Sequence, residues 1–157
     1  MLELLLLVII ANSAPVLARH LCGERAAWPI DGGRVLADGQ PLLGTSKTWR
    51  GLASAVLACA LVAPLLGIGM ALGAAAGALT MAGDLAASFA KRRRGYPASG
   101  HAPVLDTVPE ALLPAAALAE PFVLAWWEVP LLVALFHLTV RCASPLLYRL
   151  HLRRHPW

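Results

Sequence analysis

The chain has 157 residues, 59% hydrophobic and 14% charged, with a mean hydropathy of +0.68. A soluble domain carries about a quarter charged residues, so this composition excludes an ordinary soluble domain and points to a membrane protein. The formal net charge of +4 does not indicate a nucleic-acid partner, because the basic residues flank apolar runs and no nucleic-acid motif is present.

The first apolar run covers residues 2–18, "LELLLLVIIANSAPVLA". A cleaved signal peptide would open with positive charge. Here Glu3 stands in that place, and Asn12 and Pro15 interrupt the apolar stretch. The run is predicted as a short, kinked first transmembrane helix, with a cleaved signal as the alternative. Residues 19–50 are polar, and "DGG" (31–33) and "ADGQP" (37–41) are turn signals. They predict a loop, re-entrant or with short helical pieces. Residues 51–90 contain a single charge, Asp84. One span needs about 20 apolar residues, so this run is two spans with a hairpin between Pro64 and Gly73. "KRRR" (91–94) closes the second of them, and residues 95–107 form a second polar loop. Two further spans follow, near 108–126 and 129–148.

The expected fold class is therefore an all-α integral membrane protein. A single membrane-embedded domain over 1–157 carries five transmembrane helices, near 2–18, 51–68, 70–90, 108–126 and 129–148, with two cytoplasmic polar loops. Ala, Leu and Gly dominate, and small residues let apolar helices approach closely. Cys22, Cys59 and Cys142 fit no metal spacing. Cys59 and Cys142 read as small membrane-core residues, and a disulfide framework is not expected. With five spans, all thirteen Lys and Arg fall on, or lean toward, one side. The positive-inside rule makes that side cytoplasmic, which puts the N-terminus outside and both loops and the C-terminus inside. Trp126 and Trp127 then lie at the outer interface, and Tyr148 and Trp157 near the inner one.

Asp84 is the first candidate for chemistry, since an ionisable group inside a span is a functional hypothesis by default. The competing reading is a carboxylate that merely pairs with a basic neighbour. Asp84, Ser88, Lys91 and Arg92 share one helical face. That face presents a carboxylate at depth, then a hydroxyl, then two cations. Asp106 closes the second loop, and Glu110 lies four residues on, so one helical face could hold both. Mg²⁺ uses one or two carboxylates plus phosphate and water oxygens, and Asp84 and Asp106 are the natural pair.

The stretch "LLGTSKTWRG" (42–51) supplies the matching cations. Lys47 and Arg50 are three apart and on a helix would point the same way. Gly44, Thr45 and Ser46 precede them; the hydroxyls could cap the helix, and a helix N-terminus attracts anions. The composite fits a phosphate site but is not a Walker A loop. "DGGRVLADG" lacks the spaced Gly and the two later Asp of a CDP-alcohol phosphotransferase signature. His101 reads as a solvated loop residue, and His20, His151 and His155 as interfacial. His137 and Glu120 are expected to make helix-to-helix hydrogen bonds. No Ser-His-Asp or Cys-His arrangement is convincing.

The order of these pieces resembles the CDP-archaeol synthase family, which is distantly similar to the phosphatidate cytidylyltransferases. The matching residues are "AN" and "PV" (11–12, 15–16), "PIDGG" (29–33), "DG" (38–39), "LLGTSKTWRG" (42–51), "GDLAASFAKRRRG" (83–95) and "LD" (105–106). The resemblance implies a five-span membrane enzyme using Mg²⁺ and CTP. It would transfer CMP to a lipid phosphate, giving a CDP-lipid and pyrophosphate. The family's archaeal substrate is an unsaturated archaetidic acid, a glycerol phosphate with two ether-linked isoprenoid chains. Asp84, Asp106 and Glu110 would hold the metal. Lys47, Arg50, Lys91 and Arg92 would hold the triphosphate and the lipid phosphate, and Gly44, Thr45, Ser46 and Ser88 would line the nucleotide site. One departure is "DTVPE" (106–110), where the family usually carries a "DQLD"-like pair of acids. Pro109 replaces the second acid and Glu110 comes one residue late. The competing classes are a catalytically diverged lipid-binding scaffold and a small transporter with Asp84 on an ion pathway. The transporter would need polar residues through the full membrane depth. The lipid chain type and a homo-oligomeric state are left open by the sequence.

Overall fold

The structure, a computed structural model, describes residues 1–97, 100 and 102–149. His101, His151, His155, Trp157 and the terminal arginines lie outside the described residues. The described residues form five α-helices: α1 (Leu2–Cys22), α2 (Trp49–Val62), α3 (Met70–Arg93), α4 (Pro103–Ala117) and α5 (Glu128–Arg149). A 3₁₀ turn at Ala63–Leu66 extends α2. No strand forms among the described residues; two isolated bridges, Pro29 with Thr48 and Val35 with Pro41, pinch the first loop.

The helices follow the expected order. The first is longer than residues 2–18 because Pro15 is accommodated inside α1. The hairpin lies at residues 63–69, where expected. Three helical stretches, Leu2–Cys22, Trp49–Leu66 and Met70–Arg93, are long and apolar enough to cross a membrane among the described residues. The fourth helix departs most from expectation. It begins five residues earlier than predicted and ends at Ala117, with turns replacing helix up to the start of α5. Pro103 occupies its first turn, where a missing N–H costs nothing. Asp106 accepts the Ala102 N–H at 3.0 Å. Local start signals therefore override the hydropathy boundary. Glu120 consequently lies exposed in the turn after α4, rather than within a span bonding to another helix.

The helices alternate in direction. The C-terminal halves of α1, α3 and α5 and the N-terminal ends of α2 and α4 meet at one end of the bundle. The opposite half is apolar, built on Leu4, Leu7, Val8, Ala76, Leu132 and Phe136. Small residues allow the close approach: a Cβ at Gly77 would lie 2.9 Å from the Ala55 carbonyl oxygen of α2. Cys59 is buried between helices, its thiol 3.3 Å from the Leu7 carbonyl. Cys142 is exposed on α5 rather than part of the core, and all three cysteines are free. Leu57, Leu61, Leu65 and Leu138 point outward and are exposed, the pattern of a surface solvated by lipid.

Candidate active site

The helix ends enclose a cavity of about 1200 Å³. Sites for one drug-sized ligand run to about 300–1,000 Å³, so this one has room for a nucleotide together with a second head group. Its polar lining is confined to one half of the bundle. That arrangement is opposite to what an ion pathway across the membrane requires.

The first loop is a folded excursion. Ile30 N–H donates to the Lys47 carbonyl at 2.8 Å, and Trp49 N–H to the Trp28 carbonyl at 3.1 Å, so the loop returns on itself at its neck. Asp31 organises its interior. Its carboxylate accepts backbone N–H groups from Gly33 (2.9 Å), Leu43 (2.9 Å) and Gly44 (3.0 Å). Burial would raise the Asp31 pKa, but these N–H groups together hold it below the ordinary carboxylate value. Gly44 adopts a positive φ of 97°, which L side chains rarely tolerate, and so turns its N–H toward Asp31. Gly44 thus buttresses the loop, while Thr45, Ser46 and Lys47 line the cavity. Arg93 fastens the far side: its guanidinium pairs with Asp38, donates to the Pro41 carbonyl at 2.5 Å, and lies over the Phe89 ring.

Lys47 precedes the helix instead of lying on it. The N-cap of α2 is Thr48, whose hydroxyl accepts the Gly51 N–H. Thr45 and Ser46 are therefore not the cap, and Lys47 and Arg50 do not share a helical face. Lys47 reaches across to α3, with its ammonium 2.6 Å from both Asp84 carboxylate oxygens. Burial would lower the Lys47 pKa, but Asp84, supported by Glu110 and Asp106, holds it above the ordinary lysine value. Arg50 also lines the cavity, at the α1 side. It donates to the Gly23 carbonyl at 2.8 Å and the Arg25 carbonyl at 2.6 Å, tying α2 to the end of α1.

The face predicted on α3 is present. Asp84, Ser88, Lys91 and Arg92 all line the cavity, and Ser88, Lys91 and Arg92 are buried. Lys91 pairs with Asp106 of α4 at 2.5 Å. Asp84 and Asp106 are thus each held by a separate lysine. No three of the described His, Cys, Asp and Glu residues converge into a ready-made metal cage.

Glu110 faces the site despite its late position in "DTVPE". It is buried, lines the cavity, and accepts the Asn12 side-chain N–H at 2.6 Å. Gly83 brings α4 in at this level. A Cβ there would fall 2.2 Å from the Pro109 carbonyl oxygen and 2.8 Å from the Glu110 Cα. Pro109 therefore packs against the residue preceding Asp84. His137 of α5 makes the expected interhelical bond, its Nδ1 lying 2.7 Å from the Thr107 hydroxyl of α4. Asn12, as the partner of Glu110, and Asp31, as the organiser of the loop, are the residues whose roles the sequence did not disclose. An amide in an apolar span and an Asp opening a Gly-Gly turn were the available signals.

The scan of protein-family models matches residues 1–157 to a family described as CarS-like, CDP-archaeol synthase. A CDP-archaeol synthase of Hyperthermus butylicus is 36% identical, covering 94% of this chain and 89% of the relative. That of Aeropyrum pernix is 36% identical, covering 98% and 89%. That of Halobacterium salinarum is 38% identical, covering 94% and 90%. A solved structure of an intramembrane enzyme for archaeal membrane lipids biosynthesis superposes with a TM-score of 0.68 at 32% identity. The match covers 89% of this chain and 91% of that one. With the apolar helices above, these matches make it a multi-pass membrane protein. On the family match and the relatives together, the chain belongs to the CDP-archaeol synthase family.

Proposed function

We propose that this protein transfers CMP from CTP to a glycerol-based lipid phosphate, releasing pyrophosphate and forming a CDP-lipid of the CDP-archaeol type. The observation that carries this reading is the cation–carboxylate cluster at the end of α3. Lys47 on Asp84 and Lys91 on Asp106 border one large cavity at the end of an otherwise apolar bundle. The positive-inside rule assigns that end to the cytoplasm, where CTP is available.

An oxygen of the lipid phosphate attacks the α-phosphorus of CTP. The bond from the α-phosphorus to the bridging oxygen breaks, and pyrophosphate leaves with the electron pair. The nucleophile belongs to the substrate, so the chain supplies no Ser or Cys nucleophile. Its tasks are alignment and charge stabilisation. Thr45 and Ser46 offer hydroxyls to the phosphates. Lys47, Lys91 and Arg92 offer cations.

The donor set fits Mg²⁺. Asp84, Glu110 and Asp106 are hard oxygen donors, and the Lys47 ammonium within their combined field acts as a stand-in cation. Asp84, with Glu110 or Asp106, would hold the ion, and it would neutralise triphosphate charge there. Mg²⁺ needs only one or two protein carboxylates when phosphates supply the rest, which agrees with the lack of a three-carboxylate cage among the described residues. Lys47 and Lys91, which neutralise Asp84 and Asp106 in the structure, would then be available to the phosphates.

The scaffold reading rested on "DTVPE". Glu110 in place beside the Asp84 pair removes its main support. The direct test uses purified protein in detergent, with Mg²⁺ and α-labelled CTP. Archaetidic acid and phosphatidic acid are offered separately. A labelled CDP-lipid is expected with archaetidic acid. Folded protein that forms no labelled lipid from either acid would overturn the assignment.

A further inference from the structure

The cations lining the cavity divide by whether they are already engaged. Lys47 is held by Asp84, Lys91 by Asp106, and Arg50 by two backbone carbonyls. Arg92 is different. It is 3% exposed, lines the cavity, and its buried Nε has no hydrogen-bond partner. A buried N–H left without a partner is costly, and an anion arriving at the same guanidinium would offset that cost.

Arg141 of α5 lines the same cavity and forms no ion pair among the described residues. It stands one turn beyond His137 and one turn before Ser144. Positions 137, 141 and 144 share a helical face, and all three line the cavity. The His137–Thr107 bond fixes the rotation of α5 against α4 and so points this polar stripe inward. Helix α5 packs on α4 and touches α1, which leaves it at the margin of the bundle. On its next face Leu138 points outward and is exposed. Arg141 is itself exposed, so it stands where the polar cavity meets the lipid-facing surface. A charged residue on a spanning helix is expensive unless it faces an anion or water. A substrate whose chains stay in the bilayer brings its phosphate into the cavity across this edge. The triphosphate-binding groups Thr45, Ser46 and Lys47 come instead from the first loop.

We propose that Arg141, at the lipid-facing edge of the cavity, forms the subsite for the phosphate of the lipid substrate, distinct from the triphosphate end at Lys47. This rests on the two-substrate reading above, but binding can be measured without turnover. Purified wild-type, R141Q and R141K proteins would be compared for binding of phosphatidic acid and, separately, of CTP with Mg²⁺. Loss of the guanidinium fork should weaken phosphatidic acid binding by about tenfold or more in R141Q, with R141K intermediate. CTP binding should stay within about twofold, the pattern of a contact made to one substrate only. Equal melting temperatures would establish that the variants are folded, and R141K, which keeps the charge, serves if R141Q is not. Unchanged phosphatidic acid binding would overturn the subsite, as would an equal loss for both ligands. Wild-type protein that binds both ligands but makes no CDP-lipid would sink the enzymatic reading instead, leaving the binding comparison to decide the subsite.

Discussion

Lys47 and Asp84 come from elements 37 residues apart, and their contact is what joins the first loop to the membrane bundle. Its geometry depends on two residues with no role in the transfer itself. Asn12 holds Glu110 through its amide. N12A leaves a buried carboxylate without that donor, and loss of such an outer partner commonly costs about 10–100-fold in metal affinity or activity. The apparent Mg²⁺ requirement of N12A in the transfer assay should rise on that scale. Asp31 holds the loop in its charged form. Because its folded pKa lies below the ordinary 3.8, its stabilisation is complete above the unfolded value and is lost as pH falls through the lower folded value. Limited proteolysis of the first loop should therefore be pH-independent from neutrality down to about pH 4 and accelerate below it, while D31N should be cleaved readily throughout. The residue types at the site were readable because ionisable groups are rare in this chain. Their pairing was not, since Lys47 precedes α2 and its reach to Asp84 follows from how the loop folds back. Nor could spacing alone reveal that Arg50, which lines the cavity, also binds the carbonyls at the end of α1.

The helices were readable from apolar length and from the return of charge at "KRRR". The boundary of α4 was not. Pro103 and Asp106 start it inside a stretch that hydropathy treats as loop. That early start carries Asp106 and Glu110 on the helix and aligns them with α3. The alignment depends on Gly83, where α3 and α4 meet backbone to backbone. G83A places a methyl group against the Pro109 carbonyl, which cannot swing aside as a side chain can. Overpacking of this kind costs about 1–3 kcal/mol. Both thermal stability in detergent and CMP transfer should fall. At Gly69, the N-cap of α3, nothing lies within 4 Å of an added Cβ, so G69A should cost no more than about 1 kcal/mol, the scale of a weaker cap.

At the scale of the molecule, one half is an apolar helix bundle and the other opens into a charged cavity. This division suits a reaction between a water-soluble nucleotide and a lipid that cannot leave the bilayer. It also makes sidedness testable. Cys22 ends α1 at the cavity end and is exposed. In a C142S background, with Cys59 buried, a membrane-impermeant maleimide should label Cys22 in inverted vesicles and not in right-side-out ones. Labelling of right-side-out vesicles would reverse the orientation drawn from the basic residues.

On the function proposed above, the Asp84 cluster performs CMP transfer. The most direct measurement compares wild type with D84N, using α-labelled CTP, Mg²⁺ and archaetidic acid in detergent, alongside melting temperatures for both proteins. Wild type should yield labelled CDP-lipid. D84N should remain folded and lose at least about 10²–10³-fold in rate, the scale for removing a preorganised charge-stabilising group. Undiminished transfer by folded D84N would contradict the account.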